Sequence, residues 1–275
     1  MLSVPLLLAA GAVAAPASAC AKRIADYGTW REAPGQQWDF RDPALTVIGA
    51  EHARDPAHPQ FERIRTEFEA AKPGVVFYEG PNRPIADSAD ETIRSAGESG
   101  YARFLARAAG LEFRSLEMPP GEQIRQLAAQ FPADQVSLFF VLREAARLRD
   151  REGKMGEALD GAITGLLGKM APITSAAGFS PAFGDIAGLE AAAARYWPGR
   201  DWRTIPSDWF SPLANDRKTG GVFTGAVNRA DSNNRNRHMF GLLTAAASRG
   251  ERPFVVVGRN HVPMLAPALA CALRR

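Results

Sequence analysis

The order of apolar and polar positions along the chain predicts alternating strands and helices. Leu45-Thr46-Val47-Ile48 is a short β-branched run closed by Gly49, the pattern of a buried strand and its exit. Pro59 can open a helix, and Phe61, Ile64, Phe68 and Ala71 then recur at helical spacing, with Arg63, Arg65, Glu67 and Glu69 elsewhere. Lys72-Pro73-Gly74 ends that helix, and Val75-Val76-Phe77-Tyr78 reads as a second buried strand. Tyr101, Phe104, Leu105 and Ala108 lie on one face of a helix from Glu98 to Ala109, with Gly110 where a C-terminal cap belongs. Leu111 to Leu116 alternates as a third strand, and Pro119-Pro120 opens a helix through Ile124, Leu127 and Phe131. From Asp134 to about Met170 the pattern is helical throughout. A helix from about Asn236 to Ser248, a buried strand at Phe254-Val255-Val256-Val257 and a final helix opened by Pro263 complete the chain.

Strand, helix, strand with short joints implies a parallel unit. The expected fold is therefore α/β: a mixed or mostly parallel central sheet with flanking helices and a helical insertion at about residues 134–200. Residues 21–43, rich in Trp, Pro, Gly and charge without a period, read as an irregular lead-in to a single domain over residues 44–275. Residues 171–234 read as loop apart from a helix near Ala191 to Tyr196, and long loops of this kind are usually functional or mobile.

Composition narrows the classes. The chain has 275 residues, 46% hydrophobic and 23% charged, enough to bury a sizeable core. A net charge of +3 supplies no basic block, so nucleic acid is not an expected partner. The stretch containing Arg217, Lys218, Arg229, Arg235 and Arg237 reads as a solvated loop, with an anionic ligand as the alternative. The apolar run Val4 to Ala15, followed by Ala17-Ser18-Ala19, has the shape of a secretory signal over residues 1–20, although Met1 to Pro5 carries no Lys or Arg. An exported, periplasmic or envelope-associated protein is expected. Cys20 follows directly and offers a lipid anchor as a second possibility, the one route by which the chain would meet a membrane. Cys20 and Cys271 could pair in an oxidising compartment, or Cys271 could be a small buried thiol.

Four chemically competent residues fall at the ends of predicted strands. His52 follows the first through Gly49-Ala50-Glu51, Glu79 follows the second, Glu117 follows the third, and His261 follows the last through Gly258-Arg259-Asn260. In open parallel sheets ligands bind outside the carboxyl ends of the strands, where loops from distant sequence converge. The two Gly-x-x-His segments thus read as halves of one site, each glycine letting the chain turn sharply off its strand. Two histidines and a carboxylate can hold a catalytic metal with an open coordination position, which makes His52, Glu79 and His261 the expected ligands of a divalent ion, Mn, Co or Zn. Without a metal the same residues still serve, one His as general base oriented by Glu79 and the other group holding the oxyanion. Glu51 reads as an outer neighbour, Asn260 as a secondary candidate, and His58 and His238 as surface or helix-start residues.

In order and spacing, Gly49-Ala50-Glu51-His52, Glu79 and Gly258-Arg259-Asn260-His261 resemble the TraB/PrgY/GumN group, which is related to the Tiki metalloproteases and more distantly to the erythromycin esterases. Arg235-Asn236-Arg237-His238-Met239 looks like that group's Arg-Asn segment. The resemblance runs from about Leu45 to Leu269 and implies a layered α/β domain with these motifs clustered. It implies that Arg235 lines the site and polarises the scissile carbonyl, with Asp231 a weaker candidate. It also implies metal-dependent cleavage of peptide in the Tiki branch. The first motif has Ala50-Glu51 where Gly-Thr-x-His is commoner, which leaves protease-like and esterase-like branches both open. The expectation is an exported hydrolase acting on a peptide or a small ester: a metal-dependent peptidase whose two Gly-x-x-His segments form one site, with a metal-independent esterase using a His general base as the alternative. The alternative from another class is a protein that holds a haem, a metal or a signalling peptide without turnover.

Overall fold

A computed structural model describes residues 17–82 and 84–274; the apolar run of the expected signal lies outside them. In chain order the first elements are α1 (Ala17–Ala21), β1 (Asp39–Asp42), β2 (Leu45–Ala50), α2 (Pro59–Ala71), β3 (Val75–Tyr78), α3 (Ala89–Ala108) and β4 (Glu112–Ser115). Next come α4 (Pro120–Ala128), α5 (Ala133–Glu152), α6 (Gly156–Ala176), α7 (Ile186–Ala194) and α8 (Asp216–Thr219). The long α9 (Thr224–Ser248), β5 (Pro253–Gly258) and α10 (His261–Leu273) follow. The described residues divide into two compact units, one of residues 17–25, 32–82, 84–116 and 239–274 and the other of residues 26–31 and 117–238. The sequence had suggested one domain with an insertion at 134–200. The second unit is larger than that because the whole stretch from Glu117 to His238 closes around a core of its own.

In the first unit the described strands form a five-stranded sheet in the order β1-β2-β5-β3-β4. The α/β expectation holds: β2, β5, β3 and β4 are parallel, and β1 is an antiparallel edge strand. Residues 21–43 are therefore not only lead-in. Asp39-Phe40-Arg41-Asp42 lacks an apolar run because it is an edge strand, and Arg63 fastens it by reaching Asp39 Oδ1 (2.6 Å) and the Gly49 carbonyl (2.7 Å). The inner strands are buried on both faces, as parallel strands covered by helices must be. Ile48, Val76, Tyr78, Phe254 and Val256 pack with Phe61 and Ile64 of α2 and Ile93 and Tyr101 of α3. From the opposite face Val47, Val75, Phe77, Val255 and Val257 pack with Met239, Phe240 and Leu243 of α9 and Val262, Leu265 and Leu269 of α10.

Local chemistry explains the element ends. The His58 ring caps α2 by accepting from Gln60 N at 3.3 Å, Pro59 takes the first position, and Lys72 closes the helix in the left-handed conformation. The Cys20 sulfur is bonded to Cys271, with Cα atoms 5.6 Å apart, which ties α1 to α10. Helix α3 begins at Ala89, nine residues before the expected Glu98, capped by Ser88 through Glu91 N.

In the second unit the stretch expected to be helical throughout breaks at Gly153 (φ 65°) into α5 and α6. Residues 171–234, expected to be loop, carry much of this unit's core. Trp197 lies 5.2 Å from Trp209 and 5.4 Å from Phe223 between ring centroids, and its Nε1 donates to the Gly220 carbonyl at 2.9 Å. Such a cluster has no period to read, since its members come from separate turns. Helix α9 starts twelve residues before the expected Asn236. Its cap is distant in sequence: the Asp216 carboxylate accepts from Gly225 N (2.8 Å) and Ala226 N (3.0 Å). The arginines from Arg217 to Arg237 accordingly sit on α8 and α9 rather than in a loop.

Candidate active site

Strand β5 lies between β2 and β3, with Ala50 opposite Gly258 and Tyr78 opposite Val256. The three segments carrying His52, His261 and Glu79 therefore leave neighbouring parallel strands at the same end of the sheet. They diverge there. The chain leaves β2 and β3 for α2 and α3 on one face, and leaves β5 for α10 on the other. Loops departing to opposite faces open a crevice at the carboxyl ends, the position where open α/β sheets bind ligands.

The glycines of the two motifs have separate tasks. A Cβ on Gly49 would stand 2.3 Å from the Trp38 carbonyl oxygen and 2.9 Å from Arg259 Cα, so the two turns approach too closely for any side chain. At Gly258 a Cβ would stand 3.1 Å from Glu79 Oε2 and 3.7 Å from His261 Cδ2. The backbone N–H of Gly258 donates to Glu79 Oε2 at 2.7 Å. The other carboxylate oxygen, Oε1, lies 3.6 Å from His261 Nε2, beyond hydrogen-bond length yet close enough for electrostatic coupling. His261 is the first residue of α10 and is 7% exposed. The Ser99 hydroxyl donates to the Glu79 carbonyl, which holds the β3 exit against α3.

His52 has a carboxylate of its own. Its Nδ1 is 2.7 Å from Oε1 of Glu98, a residue the sequence reading had placed only as a helix start. The His52 side chain is 63% exposed, whereas that of Glu98 is 10% exposed. Glu51, between Gly49 and His52, turns outward to Arg259 Nη1 at 2.5 Å, and Arg259 lies 4.9 Å from the Trp38 ring centre. The two Gly-x-x-His segments are thus joined side chain to side chain as well as through Arg259 N and the Ala50 carbonyl (2.9 Å). Gln60 fixes the Glu51 backbone in both directions, at 2.9 Å each. Asn260 precedes α10 and makes no side-chain cap.

Below the crevice sits a second feature the sequence did not signal. Arg103 of α3 is 2% exposed, lies 4.9 Å from the Tyr78 ring centre and donates to Asn82 Oδ1 and the Ser99 carbonyl, both at 3.2 Å. Burial raises the Tyr78 phenol above its ordinary value, with Arg103 and Ser115 opposing.

The remaining expected residues, Glu117, Asp231 and Arg235, belong to the second unit and come together there. Arg235 Nη2 donates to Glu117 Oε1 at 3.0 Å. One turn earlier on α9, Asp231 is 1% exposed and accepts from Gln123 Nε2 (2.6 Å) and Arg143 Nη1 (3.4 Å). These contacts describe a buried polar row on α9.

Among the described residues no group of three or more His, Cys, Asp or Glu side chains is disposed to hold a metal ion. Each histidine of the crevice instead faces its own carboxylate, His52 with Glu98 and His261 with Glu79. The expected ligands His52, Glu79 and His261 are thus divided between two histidine–carboxylate pairs.

Fold and site together define an α/β protein with two histidine–carboxylate pairs at the carboxyl ends of adjacent parallel strands. No family model, no curated protein and no solved structure matches the chain.

Proposed function

We propose that the protein is a hydrolase of the acyl-transfer type in which His52 acts as general base on water. The observation that carries this reading is the placement of two histidine–carboxylate pairs whose histidines follow the carboxyl ends of the paired strands β2 and β5. A carboxylate against one ring nitrogen leaves the other carrying the lone pair and stabilises the imidazolium that forms on proton uptake. The water oxygen adds to the ester carbonyl carbon, its proton passes to His52 Nε2, and the same proton is returned to the leaving alkoxide as the C–O bond breaks. His261, buried at the start of α10 and held beside Glu79, is the group of the second pair that can donate an N–H to the developing oxyanion. The Cys20–Cys271 bond supports an oxidising compartment and hence export.

The test is a panel of small esters and peptides, with and without chelator, on the purified chain and its His52→Ala and His261→Ala variants. Metal content is measured alongside. Ester turnover that survives chelation and is lost in His52→Ala is the expected result. Chelator-sensitive peptide cleavage with stoichiometric Mn, Co or Zn would replace this reading by the metallopeptidase one. A haem or peptide retained without turnover, and released in His52→Ala, would make the crevice a binding site.

A further inference from the structure

We propose that Glu98 positions His52, and that the break in α3 at Gly97 is the device that delivers it; this rests on the reading of His52 as the base. Helix α3 runs from Ala89 to Ala108 but is interrupted at Gly97, whose φ of 60° and ψ of −149° are not helical. That pair of angles is essentially open only to glycine, and a helix interior gains nothing from it locally. The interruption falls where α3 meets the first Gly-x-x-His segment. A Cβ on Gly97 would stand 3.1 Å from the carbonyl oxygen of Ala53, the residue directly after His52. The next residue, Glu98, is 7% exposed and reaches His52 Nδ1 at 2.7 Å.

A carboxylate this buried needs hydrogen-bond donors, and the imidazole N–H supplies one. With Nδ1–H directed at Glu98, the lone pair of His52 is on Nε2, the nitrogen that points away from the anchoring acid. Proton uptake at Nε2 then creates an imidazolium beside a fixed negative charge. The acid is held rigidly and the ring is largely exposed, which is the division of labour a positioned base requires. In an uninterrupted helix the side chain at position 98 would be set by the α3 axis alone. Gly97 resets the direction of the chain one residue before the carboxylate is needed.

The experiment is NMR of the full chain labelled with 15N-histidine at neutral pH, with His52→Ala used to assign the ring signals, beside ester kinetics. The wild-type protein is expected to carry the His52 proton on Nδ1. Glu98→Gln is expected to redistribute it toward Nε2 and to lower kcat by about 10²–10⁴-fold with little change in KM. Glu98→Asp should recover part of both. A wild-type His52 protonated on Nε2, or a tautomer unmoved in Glu98→Gln, overturns the proposal, and the first of these does not depend on Glu98→Gln folding. If the tautomer behaves as expected but the wild-type chain hydrolyses no ester or peptide, the positioning pair stands and the general-base reading falls.

Discussion

Replacing Gly49 by alanine adds a single methyl group, and the structure says where it must go. It would lie 2.3 Å from the Trp38 carbonyl oxygen, 2.9 Å from Arg259 Cα and 3.1 Å from Val262 Cγ2. An ordinary carbon–oxygen contact is about 3.3 Å, so β2 and the chain at Trp38 have to separate by roughly 1 Å. The two nearest walls are backbone and cannot rotate away. Overpacking of this kind costs about 1–3 kcal/mol. The separation also strains the hydrogen bonds from Gly49 N to the Trp38 carbonyl and from Arg259 N to the Ala50 carbonyl, both 2.9 Å. Loss of one of them adds about 1 kcal/mol. A total of about 3 kcal/mol is a large part of the 5–15 kcal/mol typical of a folded domain. Equilibrium urea unfolding, with amide exchange on β2 and β5 to localise the effect, reads it directly. Gly241→Ala is the internal control: a Cβ there meets nothing within 4 Å on an exposed stretch of α9, so the same methyl should stabilise by about 0.5–1 kcal/mol. A Gly49→Ala protein within about 0.5 kcal/mol of wild type would refute the account of why the motif begins with glycine.

Gly258→Ala should behave differently, since its Cβ meets the Glu79 carboxylate at 3.1 Å rather than backbone; ester turnover is expected to fall while the urea midpoint moves little, and an unchanged kcat would separate this glycine from the chemistry. Opening the Cys20–Cys271 bond, which joins residues 251 apart in sequence, should lower stability by about 2–5 kcal/mol; calorimetry with and without reductant measures it, and coincident curves would contradict it. Glu112 is held below its ordinary 4.5 by hydrogen bonding to Arg114, and Glu251 below the same value by Arg249 and then Arg114. Because both folded values are depressed, their contribution is present in full above 4.5 and drains as pH falls through the lowered values. Urea midpoints should therefore decline on acidification below 4.5, and Arg114→Gln should flatten that decline; an identical slope in the variant would exclude Arg114 as its source.

The strands and helices of the first unit were legible wherever burial imposes a period. Val75–Tyr78 and Pro253–Gly258 are apolar runs because helices cover both faces of the sheet, and α2 shows its inward stripe in Phe61 and Ile64. Legibility failed where the cause is remote. Strand β1 is polar because it is an edge, and α9 takes its cap from Asp216, eight residues before the helix begins. The aromatic core around Trp197, Trp209 and Phe223 is assembled from short turns separated by Gly and Pro, so its apolar residues follow no repeat.

The same distinction decides how much of the crevice the sequence could disclose. That His52, Glu79 and His261 end strands follows from apolar runs closed by Gly-x-x-His or by Glu-Gly-Pro. That β5 inserts between β2 and β3 does not, because it depends on α9 and α10 packing on the face opposite α2 and α3. This insertion turns three separate strand ends into one place, with His261 flanked by the exits that carry the other two. Glu98 is hidden for a further reason: it lies within a run of helical pattern, and nothing in periodicity marks one carboxylate of a helix as buried. Gly97 is disfavoured in a helix interior, but so are Gly100 of the same helix and Gly161, Gly165 and Gly168 of α6, which stay helical. What sets Gly97 apart is its φ of 60° and ψ of −149°, which no sequence pattern displays, so the pairing of Glu98 with His52 becomes visible only once the chain is folded.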